Sequence, residues 1–186
     1  MSDFSLNPSE KKILLESARE IITAYLEKRK PILLEPTGIL TTNCGAFVTL
    51  HLKGRLRGCI GHIVARLPLY KTIETMAKSS AFGDPRFSPV TKEELDEIDI
   101  EISVLSPLYP AESPEDVVPG THGIFITNGF HSGVLLPQVP VEQAWNREEY
   151  LTHGCYKAGL PGDAWRDPAT KIELFTALVF GENDEE

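Results

Sequence analysis

The sequence predicts an α+β fold, a mixed or antiparallel sheet built from hairpins with several flanking helices. Three observations point there. Segments with a helical repeat of apolar residues alternate with segments that alternate every second residue. Two strand-like stretches fold back through short glycine-containing turns, at Lys53-Gly54 and Asn128-Gly129. Strands joined by hairpins, with helices between them, do not make a doubly wound parallel sheet.

The elements follow in chain order. Asn7-Pro8-Ser9-Glu10 carries the spacing of a capping box, with proline at the first helical position. Ile13, Leu14, Ala18, Ile21, Ile22, Tyr25 and Leu26 then form one stripe, closed by Lys28-Arg29-Lys30 and stopped at Pro31. Residues 46–60 predict a hairpin. A three-residue loop, Leu52-Lys53-Gly54, sorts its faces best. Val48, Leu50, Leu56, Gly58 and Ile60 then share one side, with Thr49, His51, Arg55, Arg57 and Cys59 on the other. The register thus sets Arg57 beside Cys59.

A second helix is expected over 67–82, a turn over 83–87, and a capping box at Thr91-Lys92-Glu93-Glu94 before a short acidic helix. Ile98, Ile100, Ile102 and Val104 alternate with Asp99, Glu101 and Ser103, which gives a strand with one wet face. Residues 107–120 are proline-rich and read as an ordered surface connection. A second hairpin spans 123–136, a long helix 143–158, and a last strand 171–180.

The 186 residues, 41% of them hydrophobic, suffice for a core in one domain or two closely joined lobes. The expected domain runs over 1–182, with 183–186 as a disordered acidic tail and Glu182 already part of the solvated, frayed end. A net charge of −9 argues against a nucleic-acid partner, because phosphate binding needs clustered cations. The basic residues Lys53, Arg55, Arg57 and Arg66 come without a phosphate loop or an aromatic RNA-binding string. Three cysteines, an odd number with no Cys-x-x-Cys, exclude a disulfide framework and a zinc knuckle. No leader pattern and no bilayer-length apolar run is present, so the expected setting is a reducing cytoplasm without membrane contact. Neither metal nor cofactor is expected. Cys59 and His62 have a ligand-like spacing, but no second ligand pair accompanies them.

Cys59 is the sharpest chemical candidate. Gly58 and Gly61 flank it, so backbone could approach a ligand there. A cation beside a thiol favours the nucleophilic thiolate, and Arg57 and Arg55 share its expected face. The competing reading is a small buried hydrophobe. Asp84 and Arg86 flank Pro85 and either bind an anion or orient a histidine, or else close a self-contained turn through their own ion pair. Gln138 follows Leu135-Leu136-Pro137 at a strand end, where its amide can read a ligand or satisfy loop backbone.

Leu56-Arg57-Gly58-Cys59-Ile60-Gly61 resembles the signature hexapeptide of the AMMECR domain family. The likeness continues in order through Phe47-Val48-Thr49-Leu50, Phe82-Gly83-Asp84-Pro85-Arg86-Phe87, Ile102-Ser103-Val104-Leu105-Ser106, His122-Gly123, Leu135-Leu136-Pro137-Gln138-Val139 and Lys157-Ala158-Gly159-Leu160-Pro161. Gly83 departs from the larger residue common in the family. The resemblance implies two lobes around a cleft. It also implies an association with Memo-like and radical-SAM proteins, as protein A of the AmmeMemoRadiSam system, but supplies no reaction. It draws His122 into the candidate set as the proton carrier for Cys59. Two functions follow. In one, a cleft of Arg57, Gly58, Gly61, Asp84, Arg86 and Gln138 binds a small anionic ligand or a partner. In the other, Cys59 attacks a small anionic substrate with His122 as base.

Overall fold

The computed structural model describes residues 5–184. In chain order the elements are α1 (Pro8–Glu27), β1 (Ala46–Leu52), β2 (Arg55–His62), α2 (Leu69–Phe82), β3 (Ile98–Leu105), β4 (Tyr109–Pro110), β5 (Gly123–Asn128), β6 (His131–Leu135), α3 (Gln138–Glu142), α4 (Arg147–Lys157), β7 (Lys171–Phe175) and β8 (Ala177–Gly181). They form two four-stranded sheets, ordered β2-β1-β3-β8 and β4-β7-β5-β6. Every strand pairing described residue by residue is antiparallel. The fold is α+β, and the chain divides into two compact units. The first runs up to Leu105 and resumes at Leu178; the second is Ser106–Ala177.

In the first unit, Leu14, Ala18 and Ile22 of α1 and Ile73, Ala77 and Ala81 of α2 are buried with Val48, Leu50, Ile100 and Ile102. The capping box at Asn7 forms as the sequence predicts, with Glu10 N–H donating to Asn7 Oδ1 and Asn7 N–H to Glu10 Oε2, both at 2.9 Å. Lys28 ends α1 in the left-handed conformation.

The first hairpin departs from the three-residue expectation. Leu52 pairs with Arg55, so the loop is Lys53-Gly54, with both residues at positive φ (52° and 73°). Such a turn matches the twist of the strands it joins. A bulge then intervenes, since His51 faces Leu56 while Leu50 faces Gly58. The extra residue is Arg57. Because side chains alternate faces, one inserted residue returns Gly58 and Ile60 to the side of Val48 and Leu50. Leu56 lies on the other side of the bulge, opposite His51, and is exposed.

In the second unit, Ile124, Ile126, Leu174, Tyr150, Leu151 and Cys155 form the core. Helix α4 lies close on the sheet at Gly154, where a Cβ would meet the Cδ1 atoms of Ile124 and Ile126 at 2.7 Å. The expected helix over 143–158 starts later, as α4 at Arg147, because Ala144 takes positive φ (53°) and Asn146 opens α4 with its own capping box to Glu149; the short α3 ends before the expected span begins. The expected strand over 171–180 breaks at Thr176, whose N–H donates to Ser106 Oγ; β7 belongs to one sheet and β8 to the other. The second hairpin turns one residue later than expected, since Asn128 pairs with His131 and leaves Gly129-Phe130 as the loop. The proline-rich connection contributes the short strand β4.

The acidic end departs from the solvated reading at Glu182. Its carboxylate takes two bonds from Arg19 at 2.5 Å and the Ile100 N–H at 2.9 Å, while Arg19 also donates to the Leu95 and Ile98 carbonyls. Asp184 accepts from Gly181 N–H. Glu185 and Glu186 lie outside the described residues. Arg19 and Glu182 keep only part of their surface in water, so the pair counts for more than an open surface bridge. Arg19→Ala is expected to lower stability by about 1–2 kcal/mol in urea denaturation. A midpoint indistinguishable from that of the parent protein would show the pair to be inert.

Candidate functional site

Strand β2 is an edge of its sheet. An edge leaves every second residue with N–H and C=O pointing away from the ladder, and these groups need partners. At Cys59 both find them in the turn after α2. The Cys59 N–H donates to Asp84 Oδ2 at 2.9 Å, and Arg86 Nη2 donates to the Cys59 carbonyl at 3.1 Å. Asp84 and Arg86 also grip each other through Nε–Oδ1 and Nη2–Oδ2 contacts of 3.0 and 2.7 Å. Asp84 Oδ1 accepts the Arg86 N–H as well, closing the turn. The two residues thus present the edge with one donor and one acceptor, as a neighbouring strand would.

The Asp84 side chain is 1% exposed and that of Arg86 is 55% exposed. The Arg86 guanidinium holds the Asp84 carboxyl well below the usual carboxylate range. Burial opposes this, and the Cys59 and Arg86 N–H groups add to it.

Helix α2 explains the first glycine of the hexapeptide and strand β1 the second. A Cβ on Gly58 would sit 2.2 Å from the Ser80 carbonyl oxygen. The Ser80 hydroxyl enters the same contact, accepting from Ile60 N–H at 2.9 Å and donating to the Val48 carbonyl at 2.7 Å. A Cβ on Gly61 would meet the Phe47 ring at 2.3 Å. Both positions are therefore filled by the protein's own atoms, not left for a ligand to approach.

Arg57 does not sit beside Cys59 as a free cation. As the bulge residue it is buried, and it forms a bidentate pair with Glu94 at 2.9 Å for each bond. It also donates to the Ser88 and Pro89 carbonyls. The pairing holds Glu94 below its ordinary value, against the burial of that carboxyl. The thiol of Cys59 is half-buried and takes a hydrogen bond from Thr49 Oγ1 at 3.3 Å. Cys44 and Cys155 are buried, and burial pushes both thiols up.

The six charged or polar candidates divide between the units. Arg57, Cys59, Asp84 and Arg86 belong to the first, and His122 and Gln138 to the second. His122 Nδ1 lies 2.9 Å from the Asp116 carbonyl and 3.2 Å from the Val118 nitrogen, so its role there is set by its tautomer. Gln138 is exposed at the start of α3. Sequence reasoning passed over Tyr150, whose hydroxyl lies within 3.2 Å of the His122, Leu135 and Leu136 carbonyls and whose phenol burial pushes up. Its only sequence signal was an aromatic on a helix, which reads as core. Glu94 was likewise legible only as part of a capping box.

Among the described residues no group of three or more His, Cys, Asp or Glu side chains could hold a metal ion. No described helix is long and apolar enough to cross a membrane. Two surface hollows, one including His51, Asp99 and Glu101 and the other Tyr156, Trp165 and Arg166, contain none of the candidates. Of the basic stretch, Lys53 pairs with Glu97 and Arg57 with Glu94.

Asp84 makes stability depend on pH in a definite direction. Its carboxyl is more acidic folded than unfolded, so its contribution is complete above the ordinary aspartate range. It is lost as pH falls through that range and below it. Each differentially bound proton contributes about 1.4 kcal/mol per pH unit. Asp84→Asn should therefore show a shallower fall in urea-derived stability below about pH 4. Parallel curves for the two proteins would remove Asp84 as the cause.

The AMMECR1 family model matches residues 15–180. A protein of Nanoarchaeum equitans is 42% identical, the match covering 91% of this chain and 99% of that one. A protein of Methanopyrus kandleri is 44% identical over 97% of this chain and 92% of its own. The crystal structure of an uncharacterized protein from Pyrococcus horikoshii superposes with a TM-score of 0.83 at 40% identity, covering 97% of this chain and 95% of that one. A match across nearly the whole chain, in sequence and in structure, gives one assignment: the chain belongs to the AMMECR1 family.

Proposed function

We propose that this protein is a binding module, an accessory that recognises a partner or a small anionic ligand, and not a covalent catalyst. The observation that carries this reading is that no base among the described residues meets the Cys59 thiol and that Arg57 and Asp84, two of the three charged groups near it, are committed to the fold. Arg57 is tied to Glu94 and two carbonyls, and Asp84 to Arg86 and the Cys59 amide. A nucleophilic cysteine needs a base to take its proton or a cation to stabilise its thiolate. Within the first unit, no histidine or carboxylate of the described residues hydrogen-bonds Sγ; the Thr49 hydroxyl does.

Arg86 is the cation best placed to meet an anion. Its Nε and Nη2 are engaged, its side chain is half exposed, and among the described residues its Nη1 has no hydrogen-bond partner. A guanidinium with outward N–H groups suits a carboxylate or a phosphate. His122 and Gln138 remain candidates for recognition by the second unit. The AMMECR resemblance names the partners to try first, the Memo-like and radical-SAM proteins.

The test pairs purified Memo-like and radical-SAM proteins from the same source with this protein and with its Cys59→Ser variant, read by calorimetry. Binding to one of them, with Cys59→Ser within about threefold of the parent Kd, is the expected result. A covalent adduct or turnover that requires the Cys59 thiol would overturn the reading in favour of catalysis by Cys59. Absence of heat with both partners would remove the accessory role.

A further inference from the structure

We propose that Asp84 and Arg86 act as an edge guard. They occupy the outward backbone of β2 and keep that edge from pairing with the same edge of a second copy of this chain. The inference stands on the sheet's topology and hydrogen bonds and is independent of any ligand or partner.

An open strand edge is a template for another strand, because its unpaired N–H and C=O groups gain from any backbone that meets them. Strand β2 is eight residues long and has such an edge. Two features of this chain spoil it. The bulge at Arg57 interrupts its regular spacing. Asp84 and Arg86 then fill the N–H and C=O of Cys59, toward the middle of the strand, with side-chain oxygen and nitrogen. Pairing with a second copy would require both bonds to be broken, leaving the buried Asp84 carboxylate to find new donors.

Two of the three other sheet edges are blocked as well. At β8, the opposite edge of the same sheet, Asp184 Oδ2 takes the Gly181 N–H at 2.7 Å. At β4, an edge of the second sheet, the strand is two residues long and ends in Pro110, which has no N–H to offer. Three sheet edges thus carry a carboxylate or a proline where a new strand would begin. A turn that served only to end α2 would need an internal ion pair but no bond to Cys59.

The test uses the full chain and the position of Cys59 itself. In an antiparallel pair of β2 edges centred on Cys59, the two thiols face each other, whereas Cys44 and Cys155 are buried. The double variant Asp84→Ala/Arg86→Ala and the single Arg86→Ala are compared with the parent by sedimentation velocity over a concentration series. Copper–phenanthroline oxidation then traps any Cys59–Cys59 disulfide. The expected result is self-association strengthened by about tenfold or more in the double variant. The disulfide-linked dimer should rise with it and vanish when Cys59→Ser is added. If the double variant does not fold, Arg86→Ala decides by the same two readings, since it frees the Cys59 carbonyl for a second strand while Asp84 still holds the turn; its association should exceed the parent's by less than is expected of the double variant. Folded variants that associate no more than the parent, or that associate without trapping Cys59, overturn the proposal.

Discussion

The first unit depends on how closely the backbone of α2 approaches β2. At Gly58 the Ser80 carbonyl leaves no room for a Cβ, and the Ser80 hydroxyl bridges Ile60 and Val48. An approach this close fixes the end of α2 relative to the strand, and so fixes where the chain emerges at Gly83. From there Asp84 and Arg86 reach the N–H and C=O of Cys59. The bulge at Arg57 belongs to the same arrangement. It restores the core-facing alternation after a two-residue turn and turns the arginine toward Glu94. The hexapeptide that distinguishes this sequence is therefore a packing motif first.

This explains how the candidate residues could be found together yet be given the wrong immediate surroundings. The sequence places Arg57 and Cys59 two apart on a strand, and regular alternation then sets them side by side. A bulge breaks that inference, and nothing local announces one. Gly58 and Gly61 mark close approach in either reading, but only the structure shows that Ser80 and Phe47 make the approach. The ion pair within Asp84-Pro85-Arg86 was one of the two readings the spacing allowed. Its bonds to Cys59, 25 and 27 residues away, were not legible.

The fold was more legible, because its signals are local. Asn7 with Glu10, the strand β3, and the two hairpins all form near their expected places, although Ser103, on the face of β3 expected to be wet, is buried. The misreadings have local causes too. Asn146-Arg147-Glu148-Glu149 is a capping signature as clear as the first, and an apolar reading ran through it. The break at Thr176 depends on Ser106, 70 residues earlier, and could not be seen along the strand. Glu182 looked like surface acid because its partner, Arg19, lies 163 residues away.

Side chains of the turn after α2 hold the outward backbone of Cys59. Amide hydrogen exchange at Cys59, followed by NMR, tests it most directly. An outward amide on an open edge exchanges quickly, whereas one held by a buried carboxylate opens only with its structure. Cys59 should exchange as slowly as Val48 and Leu50 in the strand beside it, and Asp84→Ala should accelerate it selectively. Rapid exchange at Cys59 in the parent protein, while Val48 and Leu50 stay protected, would show that Asp84 and Arg86 do not hold this edge.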